Sequence, residues 1–208
     1  MAGDFSSCKA WPANPELTLA VLLFPQKSNS DDEGTYDLDV LVADSHSGDI
    51  VAHNHQASAV SYDALRLSGV SLDTARYRLS SSDRAFGVRI THTGSSRVSP
   101  YESTALSLYM TDGKNVRPVL DRLIVTSASG DWDGNCAGTF DSTLRTIDMG
   151  PMGKDGYAAL NVSEKSVHRV STVRKNDCEQ NDQRPVLAHF VIEYRNGRYG
   201  VPKGLQGD

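Results

Sequence analysis

Residues 127 to 141 read SASGDWDGNCAGTFD, a stretch that sets Asp131, Asp133 and Asn135 at alternate positions around Trp132 and is followed at once by Cys136. Alternate oxygen ligands on a tight loop are how a hard cation is wrapped, so Asp131, Asp133 and Asn135 form a candidate calcium set. A second reading needs no metal. A Trp framed by glycine and aspartate, held at a loop tip, resembles the large aromatic anchors that dominate binding interfaces. On that reading Ser129, Gly130, Asp131, Trp132, Asp133 and Asn135 are the binding residues. If Trp132 instead folds back onto the strand that carries Tyr157, it is a corner of the core.

Other groupings offer less chemistry. The segment SGVSLD, residues 68 to 73, lacks the second glycine and the helix that a serine nucleophile on a Gly-x-Ser-x-Gly turn requires. In GPMGKDG, residues 150 to 156, Asp155 stands where a phosphate-cradling loop needs a metal-binding hydroxyl. His53 and His55 point to one face of a strand and have His46 and His92 as further candidate ligands, but no carboxylate or additional His stands at a spacing that completes a metal site. No residue is assigned a catalytic role.

The three cysteines, Cys8, Cys136 and Cys178, form neither a Cys-x-x-Cys pair nor a zinc-finger spacing with His. One disulfide with one leftover thiol would imply an oxidising compartment such as a periplasm. Cys136 and Cys178 are the expected pair, because the polar loop 174 to 185 has no apolar residues to hold it down. Pairing Cys8 with either of them would anchor the N-terminal arm equally well. With a formal net charge of -5 and a pI near 5.6, the surface repels phosphate backbones, so nucleic acid is not expected as a partner. No stretch reaches the roughly 20 apolar residues of a membrane-spanning helix. The start of the chain lacks the basic and apolar regions of a secretory signal, which reads as a mature chain with an added Met or as a cytosolic start.

Elements that would position the 127 to 141 stretch are strands. Leu17, Leu19, Val21 and Leu23 alternate, as do Leu38, Val40 and Val42, which is the pattern of a strand with one buried face. Further runs are 75 to 79, 85 to 91, 105 to 110, 116 to 126, 139 to 147, 157 to 162, 167 to 173 and 186 to 194, giving about ten strands and no long amphipathic helix. SHSGD, TDGKN and YRNGRY sit between such runs as hairpin turns. The expectation is an all-β chain forming an antiparallel meander, a sandwich or an incomplete propeller-like sheet. Residues 1 to 208 are read as one domain with a flexible arm over 1 to 15, and 26 to 35, 92 to 100, 150 to 156 and 174 to 185 as loops.

GDWDGN, residues 130 to 135, resembles the GDFDGDG turns of FG-GAP and related calcium-binding β-propeller proteins, and DGYAALNV, residues 155 to 162, resembles their following strand. That resemblance implies calcium at Asp131, Asp133 and Asn135. The architecture, the closing YRNGRYGVPKGL and the cysteine placement also look like β-rich periplasmic proteins of Gram-negative bacteria, some of whose relatives inhibit lysozyme-like enzymes or act as immunity proteins. Ser129, Gly130 and Trp132 match part of the Ser-Gly-x-x-Tyr loop of lysozyme inhibitors. The functional expectation is a periplasmic or secreted binding protein of inhibitor or immunity type. Its partner would be a protein, such as a basic cell-wall hydrolase or a toxin, blocked through edge loops. The alternatives are a carbohydrate-processing enzyme with a cleft lined by Asp131, Asp133 and His residues, and a structural calcium binder.

Overall fold

A computed structural model describes residues 5–27, 33–175 and 177–207. The first four residues of the expected arm, residues 28–32 of the 26 to 35 loop, residue 176 of the 174 to 185 loop, and residue 208 lie outside the described residues. The chain is all-β, and its described residues form fourteen strands and one 3-10 turn, Lys203–Leu205. The strands are β1 Phe5–Ala10, β2 Leu17–Pro25, β3 Gly34–Asp44, β4 Ile50–Tyr62, β5 Leu65–Asp73, β6 Ala85–Gly94 and β7 Tyr101–Asp112. They continue with β8 Asn115–Trp132, β9 Gly138–Met152, β10 Ala158–Arg174, β11 Asp177–Asp182, β12 Val186–Ile192, β13 Tyr194–Arg195 and β14 Arg198–Tyr199.

These form one mixed sheet that is mainly an antiparallel meander and does not close. Its main path runs β1-β2-β3-β4-β8-β7-β6-β5, and β9, β10, β11 and β12 extend it from the far half of β8. The two parallel contacts are single bridges, His53 to Asn115 between β4 and β8 and Tyr199 to Leu120 between β14 and β8. The three glycine turns are hairpins, as their sequences predict. Asn196 and Gly197 both take positive φ, 52° and 85°, the requirement of a type I′ turn. Gly113 alone does so between Asp112 and Asn115, at 60°.

The described residues hold fourteen strands against about ten expected, because β1, β4, β5, β11 and the short pair β13 and β14 are added to the expected runs, while two runs merge and one is not a strand. Residues 157 to 162 and 167 to 173, expected as two strands, belong to one 17-residue strand, β10, because the polar link Ser163–Ser166 keeps register with both β9 and β12. The expected arm contains β1, paired along its length with β2, and the expected loop 174 to 185 contains β11. Residues 75 to 79 are not a strand. Tyr77 and Leu79 are buried there, but the backbone runs through tight turns closed by Tyr77 N–H to Ala75 C=O, 2.8 Å, and Leu79 N–H to Asp83 C=O, 2.9 Å. Alternation in that segment records burial without a ladder.

Two hydrophobic cores lie on opposite faces of β6, β7 and β8. On one face Phe86, Val88 and Tyr109 meet Trp11 and the inward rows of β2 and β3, including Leu19, Val21, Leu38 and Val40. On the other, Leu106, Leu108, Met110, Leu120 and Leu123 meet Leu160, Val162, Ile192 and Tyr199. Alternation along β7 sends Tyr109 to the first core and its neighbours Leu108 and Met110 to the second.

Candidate functional site

Beyond the second core, β8, β9 and β10 outrun anything that covers them. Among the described residues of 126 to 157 and 163 to 191, only Cys136 and Ser171 are buried. The far ends of β8, β9 and β10, together with β11, therefore project as a sheet whose two faces are largely wet. A projecting sheet without a core needs another source of rigidity, and here it is covalent. Cys136 in the β8–β9 turn is joined to Cys178 of β11, with Cα atoms 5.6 Å apart and a sequence separation of 42. Ser171 Oγ lies 3.2 Å from Cys178 Sγ. Cys8 is a free, exposed thiol.

The turn itself is built by Asp133. Its N–H donates to Ala137 C=O at 2.8 Å, and its Oδ1 accepts from the N–H groups of Asn135 and Cys136, both at 2.8 Å. Those two donors hold the Asp133 carboxyl below its ordinary range. Gly134 occupies φ +79°, which the turn requires. Asp131, Asp133 and Asn135 are all exposed, and Asp131 is the penultimate residue of β8, opposite Thr139. Among the described residues no group of three or more His, Cys, Asp or Glu side chains is arranged to hold a metal.

Trp132 is the last residue of β8, not the tip of a loop, and it is half-buried. Its indole N–H donates to Arg97 C=O at 2.6 Å, its own backbone N–H donates to Val98 C=O at 2.9 Å, and its ring lies 6.1 Å from that of Phe140. Gly130 makes room for Phe140, since a Cβ there would collide with the Phe140 ring. The alternative contact with Tyr157 is not formed: Tyr157 stacks on Tyr194 at 4.0 Å in the second core. Trp132 thus clamps the loop 95 to 100 to the projecting sheet and still presents part of its ring.

Cross-strand register lays out the face on which Trp132 stands. One row is Thr126, Leu144, Lys165 and Leu187; the next is Ala128, Ser142 and Val167; the third is Gly130, Phe140, Arg169 and Asp182. Leu144 and Leu187 are exposed, as is Val191 farther along the same face of β12. Arg169 is tied to Asp182 by two hydrogen bonds, Nε to Oδ1 at 2.5 Å and Nη2 to Oδ2 at 3.1 Å. This face is not legible in the sequence because its residues come from five strands, β8 to β12, and only register brings them together.

A second feature, also missed, is a cleft of about 830 Å³ at the open end of the first core. It is lined by β4 on one side and by β6, β7 and β8 on the other, and neither Asp131 nor Asp133 reaches it. Of the candidate histidines only His92 lines it. His55 Nδ1 lies 2.6 Å from Asp39 and His46 Nδ1 lies 3.4 Å from Glu16, so the histidines do not converge.

Comparison with protein-family models, with curated proteins and with solved structures finds no match for this chain. Function is argued from these residues alone.

Proposed function

We propose that this chain is a binding protein of inhibitor or immunity type that works in the periplasm or outside the cell and blocks a basic protein partner, a cell-wall hydrolase. The observation that supports this most is the Cys136–Cys178 staple at the end of a projecting sheet that has almost no core of its own. Such a bridge persists in an oxidising compartment and pre-organises the surface next to it, which lowers the ordering cost of binding. No helix among the described residues is long and apolar enough to cross a membrane.

The face beside the staple has the composition of an interface centre. Trp132 and Phe140 give rigid aromatic area, Leu144 and Leu187 add exposed apolar area, and exposed Asp133 follows Trp132 in the turn at the edge of the face, with Asp131 on the reverse side of β8. With a net charge of -5 on the whole chain, a basic partner is drawn in by charge complementarity, which acts mainly on the association rate. The test is direct binding and inhibition: a basic muramidase is titrated with the oxidised protein while its clearing of a peptidoglycan suspension is followed. Stoichiometric slowing supports the proposal, and undiminished clearing at large molar excess removes it.

A further inference from the structure

The large cleft exists because β4 leaves β8. The two strands share one bridge, His53 to Asn115, after which β4 bends away and the interior of the curled sheet opens. Its floor is the inward row of β7: Tyr101, Ser103, Ala105, Ser107 and Tyr109. Three small residues in succession between two tyrosines leave a depression where a core strand would place Leu or Val. The sequence YESTALSLY displays this row at period two, which is the signal that would have revealed it.

Both walls are shaped by bulges. Opposite Asp37, β4 carries extra residues that include Ser58, and opposite Ser107, β8 carries Asp121 and Arg122. Ser58 and Arg122 each take φ of 50° inside a strand, whereas the other positive-φ non-glycine residues described, Lys175 and Asn196, sit in ordinary turns. Bulges of this kind re-aim side chains and concentrate beside binding sites. Two hydrogen bonds cross from β4 to the opposite wall, Gln56 Nε2 to Tyr109 Oη at 3.2 Å and the His92 ring to Ser61 C=O at 3.2 Å, so the space between them is held at fixed width.

Ser103 stands in the middle of this floor. It is 7% exposed and its hydroxyl makes no hydrogen bond to another described residue; since no described side-chain oxygen or nitrogen is both buried and unpaired, that hydroxyl opens into the cleft. A hydroxyl that opens into the cleft and has no protein partner is free to donate to, and accept from, a ligand oxygen.

We propose that this cleft is a binding site for a neutral saccharide, separate from the projecting sheet and independent of the protein-partner reading. The chemistry selects that class. Half-buried Tyr62 and Tyr101 offer ring area to sugar C–H groups, whereas Tyr109 is buried against Phe86, and serine hydroxyls and the Gln56 and Gln206 carboxamides offer donors and acceptors. The carboxylates lining the cleft, Glu33, Asp63 and Asp121, outnumber its one guanidinium, Arg122, whose Nε lies 3.4 Å from Asp121 Oδ2, so no uncompensated positive charge is offered to an anion. Among the described residues no group of three or more His, Cys, Asp or Glu side chains there is arranged to hold a metal.

The test is calorimetric titration with two neutral probes, the β-1,4-linked tetramers of glucose and of N-acetylglucosamine. Two charged probes are run beside them, the deacetylated cationic tetramer and a galacturonate tetramer. Saturable binding of at least one neutral probe is expected, weakened about three- to tenfold by Ser103→Ala, the loss of one hydrogen bond. Tyr101→Ala is expected to weaken it further. The Ser103→Ala melting temperature should equal or exceed that of the parent, because the hydroxyl has no partner to lose, and this separates a binding effect from misfolding. Absence of binding by both neutral probes overturns the proposal. So does tighter binding of a charged probe, or full retention of affinity in Ser103→Ala.

Discussion

Cys136 and Cys178 are joined at the one place in the projecting sheet where any side chain is buried, with Ser171 as the single buried neighbour in that extension among the described residues. The bridge thus substitutes for a core. Closing a loop of 42 residues stabilises by about 4 kcal/mol in loop-closure entropy. Because the sheet tip has no core, the Cys136→Ser/Cys178→Ser double variant should open locally before it unfolds globally. Hydrogen exchange is expected to accelerate over residues 129 to 141 and 169 to 182 while β2 and β3 stay protected. Uniform acceleration would show that the bridge secures the whole fold instead.

Trp132→Ala removes the indole bond to Arg97 C=O and the contact with Phe140. Trp132 is half-buried, so the expected destabilisation is about 1.5 to 2.5 kcal/mol, roughly half the cost for a fully buried Trp. Urea denaturation measures it. A loss of about 4 kcal/mol or more would place Trp132 among the core residues.

Calcium and chelator are expected to leave the melting temperature unchanged. Asp133 Oδ1 already accepts two backbone N–H groups, and the six to eight oxygens of a calcium shell are not assembled around it. A calcium-dependent rise beyond roughly 5 °C in differential scanning calorimetry would show a bound ion.

Arg145 and Glu164 form the best-shielded ion pair described, at 2.7 Å, with 10% and 16% of their side chains exposed, and Arg145 Nη1 also donates to Ile124 C=O at 2.8 Å. The pair closes the second core where the projecting sheet begins. Glu164→Ala leaves the guanidinium without its counter-charge and should cost about 3 kcal/mol or more, measured by urea denaturation. A cost below about 1 kcal/mol would mean that water reaches the pair freely.

Acid should weaken the second core through Asp73, which is bonded to the second-core residue Tyr77. Burial by itself would raise this carboxyl, but the Ala75 N–H, the Arg89 guanidinium at 2.6 Å and the Tyr77 hydroxyl at 3.0 Å outweigh it and hold the pKa below its ordinary 3.8. A group with a depressed folded pKa contributes stability above its unfolded value and loses it as pH falls through the folded one. The urea midpoint is therefore expected to fall as pH drops below about 4. Asp73→Asn should be less stable at pH 7 and show a flatter acid limb; an unchanged acid limb would assign the effect to other carboxyls.

Much of this fold is legible in sequence wherever a strand has one buried face. Leu19, Val21, Leu38, Val40 and Val42 announce β2 and β3, and the glycine turns fix the hairpins. Legibility ends where both faces are wet. The ends of β8 and β10 and all of β11 alternate nothing, since ladder hydrogen bonds and a disulfide hold them, so Trp132 looks like loop until register shows it paired with Gly138. The pairing of Cys136 with Cys178 is the expected one, drawn from the polarity of the 174 to 185 loop. The cleft was hidden for another reason: it depends on β4 parting from β8, a long-range relation that no local pattern records.

The most direct measurement compares the oxidised protein, Trp132→Ala and Cys136→Ser/Cys178→Ser for binding to a basic muramidase by surface plasmon resonance at two salt concentrations. If the stapled face is the docking surface, the parent binds with an association rate that falls as salt rises. Trp132→Ala loses at least about 2 kcal/mol of affinity, as removal of an aromatic anchor does. The double Cys variant binds more weakly because its surface must be ordered on contact. Equal binding by all three proteins, or none by the oxidised parent, contradicts the assignment of this face as the site of partner recognition.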